Sequence, residues 1–186
     1  MGQVKLIAID GLPCAGKSLL AKKLTNGDFS RIVPIDDFFL PQASWPRDIR
    51  PAFPFPFYRY GTFLQTIKQL AERGTCNYLP FDWDVMEVSG QPRVVDLKLG
   101  TVVVEGTSCL HPELTPLYDL RFFVESDAAT MLEAILERDG LYFETQWSEL
   151  WLPSVEQYME SKPQGRAHYR VEGRGALASG AGYSHI

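Results

Sequence analysis

Residues 11–18 read Gly-Leu-Pro-Cys-Ala-Gly-Lys-Ser, the G-x-x-x-x-G-K-[ST] spacing of a phosphate-binding loop. This pattern constrains the fold because it functions only between a strand and a helix. Both flanks comply. Val4 to Ile9 is an apolar run rich in β-branched residues and predicts a buried parallel strand. Ser18 to Leu24 predicts a helix with an apolar stripe at Leu19, Leu20 and Leu24. Gly11 and Gly16 let the backbone curl so that successive N–H groups face phosphate oxygens, and the helix adds its positive dipole end. Pro13, Cys14, Ala15 and Leu19 complete this candidate phosphate cradle. Lys17 has the reach for β- and γ-phosphates, and the Ser18 hydroxyl can join a Mg²⁺ shell. Cys14 reads more readily as a small filler than as a reactive thiol at a helix N-terminus.

The rest of the chain alternates strands (4–9, 31–35, 101–105, 120–124, 168–172) with helices (17–25, 62–73, 127–138, 146–160). That order predicts an α/β protein: three α/β/α layers around a mainly parallel five-stranded sheet, the phosphate-loop NTPase arrangement. Residues 1–172 suit one domain, with 173–186, rich in Gly, Ala and Ser, as a flexible tail. The second helix shows an apolar face of Phe63, Leu64, Ile67, Leu70 and Ala71 before Gly74. The third starts at Ser126 or Asp127 and is expected to bury Met131, Leu132, Ile135 and Leu136. Pro153 should kink or divide the fourth. Trp147, Trp151 and Tyr158, spaced 4 and 7 apart, read as helix core. Residues 40–60 carry five prolines among six aromatics and predict an ordered irregular excursion roofing a pocket.

A net charge of −5 argues against a nucleic-acid surface, though not against a nucleotide held by backbone amides and one lysine. No apolar run is long enough to span a membrane. Three cysteines without metal spacing, and a start that enters a strand directly, suit a cytoplasmic protein with reduced thiols.

Carboxylates stand where strands end, and ligands of open α/β sheets bind there. Asp36 and Asp37 close the second strand, and such a group can take a proton from an acceptor hydroxyl or hold Mg²⁺. Glu105 closes the run Thr101-Val-Val-Val-Glu and fits a second metal-site carboxylate, with Gly106 allowing a sharp exit. Arg138 either swings over phosphates as part of a lid near 138–147 or complements the C-terminal end of its helix. Phe81-Asp82-Trp83-Asp84 fits a substrate loop or an edge strand.

Taken together, GLPCAGKS, IDDFFLP, PFDW, VVVEG, LERDG and WLPSVEQY resemble the uridine–cytidine kinase and nicotinamide riboside kinase group of phosphate-loop kinases, over most of residues 4–172. The resemblance implies transfer of the γ-phosphoryl of ATP, with Mg²⁺, to a primary hydroxyl of a small nucleoside-like acceptor. It implies Asp36 as base and metal-site residue, Lys17 and Ser18 on phosphate and Mg²⁺, Glu105 on metal-bound water, and Arg138 in the lid. It further implies an acceptor pocket drawn from Asp37, Phe39, Phe57, Tyr58, Phe81, Asp82 and Trp83. Three departures weigh against uridine itself. Phe53-Pro-Phe-Pro-Phe57 stands where the family has a sugar-binding aspartate, Met86 where it has a base-reading histidine, and the segment 138–150 holds one arginine rather than several. Two other functions stay open. One is a nucleotide-binding regulatory or degenerate protein. The other is a nucleoside monophosphate kinase using Arg47, Arg50 and Arg59.

Overall fold

The computed structural model describes residues 4–25, 27–174 and 183–185. In chain order the elements are β1 (Val4–Gly11), α1 (Lys17–Leu24), β2 (Ser30–Pro34), α2 (Tyr60–Arg73), β3 (Thr75–Tyr78), β4 (Phe81–Asp82), β5 (Glu87–Val88) and β6 (Arg93–Asp96). They continue with β7 (Gly100–Glu105), β8 (Leu120–Glu125), α3 (Ala128–Asp139), α4 (Glu144–Gln146), α5 (Leu152–Glu160), β9 (Tyr169–Glu172) and β10 (Tyr183–His185). The sheet order is β10-β9-β8-β1-β7-β2, with β2, β7, β1, β8 and β9 parallel. β10 adds to β9 antiparallel, so residues 183–185 form an edge strand where the sequence predicts a flexible tail. The remainder of that tail, 175–182 and 186, lies outside the described residues.

The period-two alternation of the strands divides the core into the two faces of a three-layer fold. Leu6, Ala8, Val33, Val102 and Val104 pack with Phe63, Ile67 and Leu70 of α2. Ile9, Val103, Phe122, Val124 and Val171 pack with Leu20 and Ala21 of α1 on the other face. Val102, Val103 and Val104 are wholly buried, which is why this run carries the strongest strand signal. A third cluster joins the 40–60 excursion to the segment 147–160 through Phe39, Phe55, Phe57, Phe81, Leu150, Trp151, Val155 and Tyr158. Among the described residues, no helix is long and apolar enough to cross a membrane.

Local expectations are met unevenly. Asp127 caps α3, its carboxylate accepting from the Thr130 N–H at 2.9 Å. α3 buries Met131, Ala134 and Ile135, however, and leaves Leu132 and Leu136 at 45% and 55% exposure. The helix meets the protein along one narrow line, and adjacent leucines cannot report from periodicity which of two stripes turns inward. The stretch expected to be kinked or divided at Pro153 keeps helical dihedrals at Gln146, Trp147, Trp151 and Leu152; a π-helical segment, Trp147–Trp151, lies between α4 and α5, and the proline sits in the first turn of α5. The hairpins β3–β6 and β4–β5 are additions that the sequence reading does not contain. Their strands are four and two residues long, too short for a periodicity signal.

Candidate active site

β1 delivers the chain into the glycine loop. Gly11 has φ of 147°, and a Cβ there would lie 2.3 Å from the Val124 carbonyl oxygen, so only glycine lets the loop leave this close to β8. The Ala15 N–H donates back to the Leu12 carbonyl at 3.3 Å, and Gly16 starts α1. Lys17, nearly buried, donates to the Leu12 carbonyl at 2.7 Å and approaches Thr107 Oγ1 at 3.4 Å. The Ser18 hydroxyl donates to Glu105 Oε1 at 3.0 Å. Burial pushes the Glu105 carboxyl up from its ordinary range, against the attraction of Lys17. A hydroxyl and a carboxylate side by side beside a phosphate loop are hard oxygen donors of the kind Mg²⁺ takes, with phosphate and water completing its shell. Those residues fit the metal that the phosphate-loop resemblance implies.

A cleft of about 610 Å³ opens over this loop. Pro13, Cys14, Gly16, Lys17, Ser18 and Leu19 line its phosphate end, together with Glu105, Gly106 and Thr107. Phe39, Phe55, Phe57, Tyr58, Trp83 and Trp151 line the other, with Asp36. The rings pack on each other, Phe39 against Trp83 at 5.0 Å and Phe57 against Trp151 at 6.1 Å between centroids.

Asp36 and Asp37 sit in a 3₁₀ turn, Ile35–Phe38, directly after β2, and they part company. Asp36 is exposed in the cleft and accepts from the Tyr58 hydroxyl at 2.6 Å. Burial, reinforced by Asp36, holds the Tyr58 phenol above its ordinary range, so it remains a donor. Asp37 is buried and accepts from the Tyr78 hydroxyl at 2.7 Å and from Arg93, which ties the β3–β6 hairpin to the sheet edge. It is not among the residues that line the cleft, whereas Asp36 is, although the sequence expectation places both at the acceptor. Phe81 and Asp82, also expected at the acceptor, are not among the lining residues either. Phe81 is buried beneath Phe39 and Trp83, and Asp82 accepts from the Asp84 N–H in a tight turn. Gly11 and Ala15 are not among the lining residues and act on the shape of the loop, Gly11 through its close approach to Val124 and Ala15 through its bond to Leu12. Trp147 and Trp151 exceed their reading as helix core, since both line the cleft.

Arg138 reaches the cleft, but its guanidinium forks onto the neighbouring Asp139 at 2.7 and 2.8 Å. Arg174, which the sequence reading leaves in the tail, lines the same cleft and pairs with Glu137 at 2.9 Å.

Asp10 is the residue that sequence reasoning misses outright. Wholly buried at the end of β1, it accepts from the N–H groups of Gly11 (2.6 Å), Ser108 (3.1 Å) and Leu110 (2.7 Å) and from the Tyr158 hydroxyl. One carboxylate thereby fixes the phosphate loop, the loop that carries Thr107, and α5. A charged residue just before the first glycine was the available signal.

A Bacillus stearothermophilus protein described as a possible uridine kinase superposes with a TM-score of 0.70 at 16% identity, covering 91% of this chain and 89% of that one. A Silicibacter sp. TM1040 protein provisionally assigned as a fructose transport system kinase gives 0.70 at 21%, covering 86% and 85%. The D-glycerate 3-kinase of Cryptococcus neoformans gives 0.57 at 13%, covering 92% and 86%. The chain has the fold of the P-loop kinases. Within that fold, β1, the glycine loop and α1 supply the phosphate end of the cleft, and the 40–60 excursion with Trp147–Trp151 supplies its aromatic end. In sequence, 146 residues are 29% identical to the tRNA-specific adenosine deaminase subunit tad2 of Schizosaccharomyces pombe, covering 72% of this chain. The match spans about a third of the length of that protein (33%). No family model matches.

Proposed function

We propose that this P-loop kinase-fold protein transfers the γ-phosphoryl of ATP to a hydroxyl of a small, nucleoside-like acceptor that carries no negative charge and presents an apolar or aromatic face. The observation that carries the reading is the presence of Asp36 in the same cleft as Lys17 and Ser18. Phosphoryl transfer needs little more from a protein than position, charge stabilisation and a base. Lys17 and the loop N–H groups would hold the phosphates. Mg²⁺ at Ser18 and Glu105 would neutralise developing charge. Asp36, oriented by Tyr58, would accept the proton of the attacking hydroxyl. Phe39, Phe57 and Trp83 would pack on the acceptor.

The charges in the cleft argue against a nucleoside monophosphate acceptor. Among the described residues its cations are Lys17, Arg138 and Arg174, few for an acceptor phosphate in addition to those of ATP. Arg47 and Arg50 are exposed and lie outside the cleft wall. Arg59 donates to the carbonyls of Phe39, Asp37 and Leu79.

The deciding experiment is an ATP-consumption screen over nucleosides, nucleoside monophosphates, sugar acids, pantothenate and simple sugars, with Asp36→Asn as blank. Turnover should be found among uncharged acceptors with an apolar face, and uridine should be used poorly. ATP binding without turnover on any acceptor would favour a regulatory nucleotide-binding protein instead. Separately, Lys17→Ala should weaken Mg·ATP binding in calorimetric titration by about tenfold or more, the loss of a charge-assisted contact of roughly 1.5–3 kcal/mol. Equal affinity for mutant and parent would remove Lys17 from the phosphate site.

A further inference from the structure

We infer that Asp139 is a positioning residue that holds Arg138 in reserve, and that the phosphates of a bound nucleotide displace it from the guanidinium. This rests on the reading of the cleft as a nucleotide site. Neighbouring residues on a helix do not ordinarily face each other. Arg138 and Asp139 meet because α3 ends at Asp139 and Gly140 turns the chain away with φ of 58° and no atom within 4 Å of where its Cβ would be. The contact is a two-pronged fork, Nε to Oδ1 at 2.7 Å and Nη2 to Oδ2 at 2.8 Å. A phosphate offers a guanidinium the same pair of oxygens.

The carboxylate is the fixed half of the pair. Its side chain is 13% exposed against 54% for Arg138, and the Trp147 indole N–H donates to Oδ2 at 2.8 Å. Burial opposes ionisation of Asp139, but the bonds from Arg138 and Trp147 outweigh it and hold the carboxyl below its ordinary range. The competitor therefore stays charged. The guanidinium rests 5.8 Å from the Trp147 ring centroid, at the cleft wall that also includes Cys14 and Lys17. Arg138 therefore lines the same cleft as the loop residues that would hold the phosphates. Arginine poised in this way would pay the loss of one ion pair before it could gain another, so Asp139 would lower nucleotide affinity.

The test is calorimetric binding of Mg·ATP and of adenosine to the parent, Asp139→Asn and Asp139→Glu proteins. Loss of the competing charge should tighten Mg·ATP about three- to fivefold in Asp139→Asn, the scale of a partly exposed ion pair. Adenosine, which has no phosphate, should bind the parent, Asp139→Asn and Asp139→Glu proteins alike. Asp139→Glu should return affinity towards the parent. A folding defect cannot tighten binding, so the sign separates this role from a structural one. Unchanged or weaker Mg·ATP binding by Asp139→Asn, with the parent binding normally, would overturn the proposal and make Asp139 a fixed support for Arg138. A parent protein that binds no Mg·ATP would overturn the nucleotide reading itself, and this inference with it.

Discussion

Asp36→Asn is expected to lower phosphoryl transfer by about 10²–10⁴-fold, the usual contribution of a positioned general base. Mg·ATP affinity should change little. The substitution keeps the shape of the side chain and its acceptor for the Tyr58 hydroxyl, which donates at 2.6 Å, but removes the basic oxygen. Asp37→Asn provides the contrast. Asp37 is buried and serves Tyr78 and Arg93, so its change should loosen the β3–β6 hairpin and lower stability while leaving the cleft chemistry in place. Steady-state assays with an acceptor from the screen, set beside thermal melting, distinguish the two. An inactive Asp37→Asn with an active Asp36→Asn would move the base by one residue.

The second large effect is expected on stability. Asp10→Ala should cost about 3–5 kcal/mol in urea denaturation, the range for removing one partner from a buried charged network. Three N–H groups and the Tyr158 hydroxyl would lose their acceptor inside the protein, where water cannot replace it. Tyr158→Phe removes one donor and should cost about 0.5–1.5 kcal/mol. Burial raises the Asp10 carboxyl above its ordinary range, more than the hydrogen bonds lower it. The folded protein therefore takes up this proton before the unfolded chain does. By linkage, the contribution of Asp10 to stability should rise as pH falls through its folded pKa towards the unfolded value near 3.8. Comparison of parent and Asp10→Asn across the acid range isolates that slope. A loss below 1 kcal/mol for Asp10→Ala would mean that the loops hold each other without the carboxylate.

Much of the fold can be read without coordinates because its signals are local. The strand–loop–helix at residues 4–24, the apolar run ending at Glu105 and the Asp127 cap each depend on a few adjacent residues. The places of Lys17, Ser18, Asp36 and Glu105 follow too, since parallel strands carry their C-terminal residues to one edge of the sheet. Orientation is a different matter. Asp36 and Asp37 are equal in sequence, and the 3₁₀ turn sends one to the cleft and the other to a hairpin whose strands are too short to announce themselves. Leu132 and Leu136 look as apolar as Met131 and Ile135, and only the line of contact along α3 decides which pair is covered.

The sequence by itself determined a phosphate loop at the end of a buried strand, a parallel sheet covered on both faces, and the acids at its edge, because spacing and apolar periodicity are properties of neighbouring residues. Tertiary structure alone decided that Trp147 and Trp151 line the cleft that holds Lys17, that Arg174 reaches it, and that Asp10 binds three separate segments together. The physical reason is that these contacts join residues up to 148 positions apart, as Asp10 and Tyr158 are. Burial and partner choice at such separations depend on how helices and loops pack on the sheet, which no short window of sequence contains.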